Sequence, residues 1–306
     1  MKSKILTAGV LTCLAVSTTL AANDDANIRN MAGYLATSSV NQAMQGKNAQ
    51  DWMKRTTVNV SFQKNFTPQY EVETVQPLTR VDKDTKEVVF TQGRIAHNSN
   101  SGTALNVGVG YRHLNDDKTS MWGINGFYDH GFKYNQSRIS GGLEYFNGQH
   151  ELHANIYHGL SGEKEIDTTN HIFQKVADGY DVEYAHTFKN AEWAKVYVNA
   201  YRWDMKHSED AKGFFLGTEL QLTPQISLDL GYNKLNGTSG TPFGKVMYRL
   251  GNAPVALWGG KHNLDTQTTV EAKLLSKVRR NNNIVVETYG KEASKITSIA
   301  YSIRVN

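Results

Sequence analysis

Apolar residues alternate strictly with asparagine, glycine or arginine in the stretch Leu105-Asn106-Val107-Gly108-Val109-Gly110-Tyr111-Arg112. Because successive side chains of a β-strand point to opposite sides, this period of two predicts a strand with one apolar face. The other face carries small, polar or charged groups. The same alternation returns along the chain, at residues 58–63, 122–129, 139–145, 180–184, 214–222, 226–233 and 245–250.

The repeated pattern predicts an all-β fold, a twelve-stranded antiparallel transmembrane β-barrel within residues 56–251. Apolar side chains would face lipid and polar ones the lumen, and an even strand number is typical of bacterial outer-membrane barrels. The second strand is the weakest because it contains Pro77, which has no backbone N–H to donate. The predicted strands are 56–65, 69–81, 86–97, 103–113, 120–130, 137–146, 149–159, 179–188, 194–204, 213–222, 225–234 and 243–251.

Charged residues fall on the polar face of several strands. We expect these side chains to form a network of ion pairs and hydrogen bonds that holds a linker in the pore or sets the polarity of the pore. The residues predicted to face the lumen are Arg112, Asp129, Glu144, Glu183, Glu219, Asp229 and Arg249.

The connections indicate which way the barrel points. If the first strand runs outward, short turns such as Asn147-Gly148 and Thr223-Pro224 face the periplasm. The longest connection, Leu160 to Asp178, then lies outside the cell. Short periplasmic turns and longer outer loops are typical of these barrels.

The N-terminus reads as a secretory signal peptide over residues 1–21. Lys2 and Lys4 precede a mostly apolar run, and Ala21 ends a small-residue cleavage site. The polar residues 22–55 would form a periplasmic segment with a short helix. The signal also contains the only cysteine, Cys13, so the mature chain offers no disulfide and no cysteine-based metal site.

Charge gives no case for a nucleic-acid partner. The 33 Lys and Arg residues fall to 31 without Lys2 and Lys4, against 29 Asp and Glu. So balanced a mature chain lacks the excess of cations that phosphate binding requires. No cofactor is predicted.

The region after the barrel is expected to be periplasmic over residues 252–283. A helix is predicted from Thr268 to Arg280, because the apolar residues Val270, Leu274 and Val278 follow one another at helical spacing. The asparagines 281–283 would end that helix, since asparagine favours turns. Residues 284–306 would then be a linker or tail, extended at its β-branched start and able to enter the pore.

Catalytic and metal sites are not indicated, and the chain is not expected to be an enzyme. His150 and His158 share one face of a predicted strand, but His153 lies on the other, so the three cannot simply converge on a metal. Asp129 with His130, and Asp204 with His207, are candidates by composition alone.

Several motifs resemble one family, the inverse autotransporter β-domain of intimin- and invasin-type bacterial adhesins. The similarity covers about residues 50–290. It includes Asp51-Trp52-Met53 and the glycine-rich strands around residues 106–112, 123–129, 138–145 and 179–182. Its most specific part is Arg279-Arg280-Asn281-Asn282-Asn283-Ile284-Val285-Val286-Glu287.

The resemblance implies a mechanism. Periplasmic chaperones and the barrel-assembly machinery would deliver the barrel into outer-membrane lipid. The segment from Arg279 to Val286 would lead the chain into the pore, and a C-terminal passenger would cross as a hairpin. The passenger would reach a host or cell-surface receptor, but residues 288–306 are too few to form an adhesin domain.

Other interpretations stay open on the sequence alone. A stand-alone porin-like barrel could use the tail as a plug. A truncated adhesin could have lost its passenger. A soluble, ligand-binding β protein would also show alternating strands. An immunoglobulin-like repeat further along the reading frame would identify the passenger.

Overall fold

The computed structural model describes residues 51–63, 69–189, 191–223, 225–250 and 270–290. The signal peptide, the helix expected within residues 22–50 and the tail beyond Gly290 lie outside the described residues. Among the residues that are described, no helix has the length and apolar character needed to cross a membrane.

Twelve antiparallel strands close into a barrel in the order β1-β14-β13-β12-β11-β10-β7-β6-β5-β4-β3-β2, and a separate three-stranded sheet has the order β15-β9-β8. The elements are α1 Asp51–Lys54, β1 Thr56–Gln63, β2 Gln69–Pro77, β3 Glu87–Asn98, β4 Gly102–Leu114, β5 Ser120–Gly131, β6 Gln136–Asn147, β7 His150–Gly159, β8 Lys164–Asp167, β9 Ile172–Val176, β10 Asp178–Phe188, β11 Ala191–Asp204, β12 Ala211–Gln221, β13 Ile226–Leu235, β14 Thr241–Arg249 and β15 Val286–Gly290.

The prediction of a twelve-stranded antiparallel barrel is confirmed. Each predicted strand overlaps one observed barrel strand. The second strand ends at Pro77 and not at residue 81. Beyond Pro77, the N–H groups of Leu78 and Thr79 both donate to the carbonyl of Val89, at 2.8 and 3.3 Å, so the regular ladder stops there.

The two faces of the barrel wall differ as the alternation requires. Large apolar side chains are exposed on the outside, among them Val109, Leu143, Ile156 and Leu216, with Ile156 69% exposed. Charged and amide side chains are buried inside. A polar interior and an apolar exterior suit a wall that contacts lipid on its outside.

The small sheet was not predicted. Its strands β8 and β9 belong to the connection after β7, which the sequence suggested only as a long loop. Its third strand, β15, pairs antiparallel with β9, with Thr288 opposite Gln174. A pairing between segments so far apart in the chain leaves no trace in local periodicity.

The helix predicted over Thr268–Arg280 is wrong in its second half. Residues 270–276 form tight turns, with the N–H of Ser276 donating to the carbonyl of Lys273 at 3.0 Å. After these turns the chain is not helical, and the N–H of Val278 donates to the Gln92 side chain at 2.8 Å. Contacts with the barrel wall thus replace the hydrogen bonds of a continuing helix.

The ends of the barrel differ in loop length. Short turns, such as the one that joins β6 to β7, lie at the end where β1 begins. The long connection with β8 and β9 lies at the opposite end. By the usual asymmetry of these barrels, the first end faces the periplasm and the second the cell exterior.

Replacing Leu230 by arginine should impair the barrel. Leu230 is 40% exposed on the outer face of β13. A cation facing lipid near the bilayer midplane costs about 2–4 kcal/mol. We expect urea titration in phospholipid vesicles to show a free energy of unfolding lowered by that amount.

The matched control is Ser227→Arg on the same strand. Ser227 lines an internal cavity of about 590 Å³, where a cation meets water and polar groups. Equal destabilisation by both substitutions would contradict the assigned facing of β13.

Candidate functional site

The lumen of the barrel is occupied by the chain's own residues 276–290, here called the pore segment. It begins near the periplasmic mouth, where Lys277 donates to Thr57 at 2.6 Å and pairs with Glu73 at 2.8 Å. It ends at the outer mouth as β15. The expectation that the chain stays periplasmic through residue 283 is therefore wrong, because residues 277–283 bond to the inner wall.

Arg112 holds the chain where it enters the barrel. Its guanidinium forms a bidentate pair with Glu144, at 2.9 and 3.0 Å. It also donates to the carbonyls of Lys273, Leu274 and Ser276, at 3.1, 3.1 and 2.7 Å. These carbonyls lie where the helical turns end, so a cation there supplies both charge and hydrogen bonds.

Apolar packing supports the same entry point. Val270, Leu274 and Val278 are buried against side chains of the neighbouring wall. They project toward the same side although the helix stops between them. The wall residues in this cluster are Val75, Val88, Phe90, Leu114, Met121, Phe127 and Phe146.

Arg279 lies against an acidic part of the wall. Its guanidinium pairs with Glu183 and, at 2.5 Å, with Glu219. It also lies over the ring of Tyr197, 5.0 Å from the ring centre. The carbonyl of Arg279 accepts a hydrogen bond from Asn155 at 3.0 Å. Two carboxylates thus neutralise one buried cation from two strands.

Arg280 shares a carboxylate with the wall. Asp129 pairs with Arg280 at 2.6 Å and with Arg138 at 2.7 Å, and all three side chains are fully buried. Arg280 also donates to Ser140 at 3.0 Å. Because a buried ion left without its partner is costly, Asp129 fixes the pore segment and the wall together.

The three asparagines are recognised mainly through their backbone. Arg138 donates to the carbonyls of Asn281 and Asn283, at 2.7 and 3.0 Å. Asn106 donates to the carbonyl of Asn282 at 2.8 Å. The asparagine side chains also make bonds, including one from Arg94 to Asn283 at 3.3 Å and a turn within the segment.

The outer mouth closes around β15. Val285 packs in an aromatic cluster with Tyr157 and Trp203. Tyr289 stacks on His207, with ring centres 3.9 Å apart. Burial, together with the neighbouring carboxylate of Glu163, raises the pKa of Tyr289.

The residues predicted to face the lumen all project inward. Arg112, Asp129, Glu144, Glu183 and Glu219 contact the pore segment or one another, as described above. Asp229 accepts a hydrogen bond from Tyr197 at 2.9 Å and does not contact the pore segment. Arg249 lines the periplasmic cavity. Val286 is the first residue of β15, opposite Val176 of β9, and is buried.

Several contacts were missed. Arg138 and Asn106 hold the pore segment, yet neither was singled out. Arg138 shares the parity of Glu144 on β6, and Asn106 shares that of Arg112 on β4. The alternation places Asn106 on the lumen face and would have placed Arg138 there as well, although it identifies no particular partner for either.

Histidines do not form a catalytic or metal-binding group in the part of the chain that is described. His153 points inward, between Glu144 at 3.6 Å and Glu151 at 3.4 Å. His150 and His158 point outward. Over the described ranges, no cluster of three or more His, Cys, Asp or Glu residues is placed to hold a metal ion.

Part of the lumen beside the pore segment is open. The cavity of about 590 Å³ lies at the periplasmic end, next to β11–β14. Toward the cell exterior, the rings of Tyr197, Tyr201, Trp203, Phe215 and Phe243 form a buried cluster.

Comparison with known proteins agrees with this geometry. The chain is 23% identical over 225 residues to the inverse autotransporter adhesin YeeJ of Escherichia coli (strain K12). The match covers 70% of this chain and 10% of the adhesin, so the chain spans about a tenth of that relative.

One solved structure shows the same type of fold. A chain from a study of the in-meso crystallization of membrane proteins has a TM-score of 0.63 and 17% sequence identity, covering 77% of this chain and 100% of that chain. The outer membrane phospholipase A of Escherichia coli has a TM-score of 0.43 and 11% identity, covering 69% of this chain and 96% of that chain. So distant a likeness says nothing about activity.

The family profile described as "Inverse autotransporter, beta-domain" matches residues 14–282, which is most of the chain. That description is not of an enzyme. With a closed barrel and a lumen crossed by its own chain, the protein belongs to the inverse autotransporter β-domain family and is an outer-membrane β-barrel translocator.

Proposed function

We propose that this translocator carries the part of its own chain that follows the pore segment to the cell surface. The observation that supports this proposal is the path of residues 276–290, which bond to the wall at the periplasmic mouth and to β9 at the outer mouth. A chain that leaves the barrel at its outer end delivers whatever follows to the exterior.

The contacts of the pore segment suit a state after export. Lys277, Arg279 and Arg280 each pair with lumen carboxylates. Charge matching at this density would seal the pore and anchor the exported chain. We propose the same role, of holding the segment, for Arg112, Asp129, Glu144, Glu183 and Glu219. Asp229 and Arg249 would set the polarity of the remaining lumen.

Display for adhesion is the biological outcome that we propose, since the matched relative is named an adhesin. The passenger would belong to the remaining nine-tenths of such a protein. It would bind a host or cell-surface receptor. Periplasmic chaperones and the barrel-assembly machinery would insert the barrel. A signal peptide at residues 1–21 and a periplasmic segment at 22–55 would complete its organisation.

Catalysis is not part of the proposal. Several inward carboxylates are engaged with arginine or lysine, as in the pair of Arg112 with Glu144 at 2.9 Å, whereas Asp229 accepts a hydrogen bond from Tyr197. The role that we propose for the lumen is to hold a chain.

Truncation after Leu275 should leave a folded barrel with a larger ion conductance in planar bilayers. The pore segment fills much of the lumen, and a twelve-stranded barrel is wide enough to conduct once it is emptied. An epitope tag after Asn306 of the full chain should react with antibody on intact cells.

A tag that reacts only after permeabilisation, together with unchanged conductance of the truncated barrel, would contradict export through this pore. A tag hidden in intact cells with increased conductance after truncation would instead favour the porin-like barrel with a plug.

Arg280→Gln should loosen the pore segment while the wall stays intact. Asp129 keeps Arg138 as its partner, so the barrel retains its own ion pair, but the segment loses its pairing with Asp129. We expect frequent opening events in single-channel recordings, because the segment no longer shares the carboxylate of Asp129 with the wall.

Arg80→Gln is the matched control. Arg80 is an exposed arginine of the connection between β2 and β3, and its partner is Asp82 at 3.9 Å. It should leave the channel closed. Quiet recordings from both variants would mean that Arg280 does not hold the pore segment.

A further inference from the structure

Glu287 enters a site made almost entirely of one loop. Its carboxylate accepts hydrogen bonds from the backbone N–H groups of Lys206 and His207, both at 2.8 Å, and from the hydroxyl of Ser208 at 2.9 Å. Glu287 is only 3% exposed. Within the described part of the chain, no cationic side chain pairs with this carboxylate.

The loop that supplies these donors, residues 205–210, is fixed by contacts that do not involve Glu287. Asp210 accepts from the backbone of Met205 at 3.2 Å and pairs with Arg202 at 2.6 Å. The side chains of Lys206 and His207 lie 3.5 and 3.6 Å from Glu163. Two successive N–H groups that point to one spot are a known way to bind an anion.

Several other contacts of the pore segment do not depend on its side chains. β15 pairs with β9 through backbone bonds, and Arg138 and Asn106 bond to backbone carbonyls. A slip by two residues would restore the same backbone bonds and keep each side chain on its own face. Such contacts cannot alone determine where the chain stops.

We propose that the loop 205–210 is a carboxylate receptor that fixes the final register of the exported chain, with Glu287 as the residue it recognises. The inference rests on the proposed export through the pore. Arg280 at Asp129 sets the inner end of the segment, and Glu287 sets the outer end. A slipped chain would leave a buried carboxylate without donors, which is unfavourable.

Cysteine cross-linking in the full-length protein tests this register. Cys13, the only natural cysteine, lies in the predicted signal peptide. Gln174→Cys with Thr288→Cys reports the observed register, since the two residues are opposite each other. Gln174→Cys with Val286→Cys or Gly290→Cys reports a slip by two residues in either direction.

With Glu287 present, the 174–288 disulfide should dominate on oxidation in intact cells. With Glu287→Ala, the ratio of this disulfide to the slipped ones should fall at least about tenfold, because hydrogen bonds to a charged group are among the stronger ones. Ser208→Ala, which removes one of three donors, should give a smaller fall.

Glu165→Ala is the control within the same outer sheet. Glu165 contacts His171 and not the loop 205–210. It should leave the ratio unchanged. A dominant 174–288 disulfide in the Glu287→Ala variant would contradict the proposal that the loop 205–210 fixes the register through Glu287.

Labelling of the Gly290→Cys variant with a membrane-impermeant maleimide separates this inference from the proposed export. If Gly290→Cys is labelled from outside both with and without Glu287→Ala, and the register is the same in both, export through the pore is supported. The same result would contradict the proposed role of the loop 205–210 as a carboxylate receptor. Absence of labelling from outside in both backgrounds would contradict export itself.

Discussion

Burial of charge inside a closed wall is the constraint on which this structure depends. An ionised side chain inside the barrel is shielded from bulk water and must find its counter-charge there. Asp129 shows the consequence most clearly, because it pairs with Arg138 of the wall and with Arg280 of the pore segment at once. One carboxylate thus links the wall to the segment that lies within it.

Two kinds of recognition divide the pore segment. Arg112, Arg138 and Asn106 donate to backbone carbonyls, which every residue type carries. These contacts recognise an extended chain and accept many sequences. Lys277, Arg279, Arg280 and Glu287 are recognised through their charges. A translocator benefits from both, because passage requires tolerance of sequence, whereas a stable final state requires particular residues.

The sequence predicted the wall far better than the contents of the lumen. A strand such as β4 carries its own evidence, because the alternation of Leu105 to Arg112 reports one apolar and one polar face without reference to any partner. The partner of Asp129 carries no such evidence. Arg280 comes from 151 residues further along the chain, and its position depends on where the chain enters the pore. The helix predicted to Arg280 failed for the same reason, since local spacing does not include the carbonyl contacts of Arg112.

The glycine-rich strands acquire a physical reason from the arginines they face. The ring of Phe127 lies so close to Gly108 that a Cβ there would approach it to 2.3 Å. Arg280 in turn lies over that ring, 4.3 Å from its centre. The same arrangement of glycine, ring and cation occurs on the far side of the lumen in Gly217, Tyr197 and Arg279. There, a Cβ on Gly217 would meet the ring of Tyr197 at 2.5 Å. Glycine lets an aromatic ring lie flat against the wall, and the flat ring offers its face to a cation. The glycines that alternate with apolar residues in the sequence therefore make room for the rings and for the arginines of the pore segment.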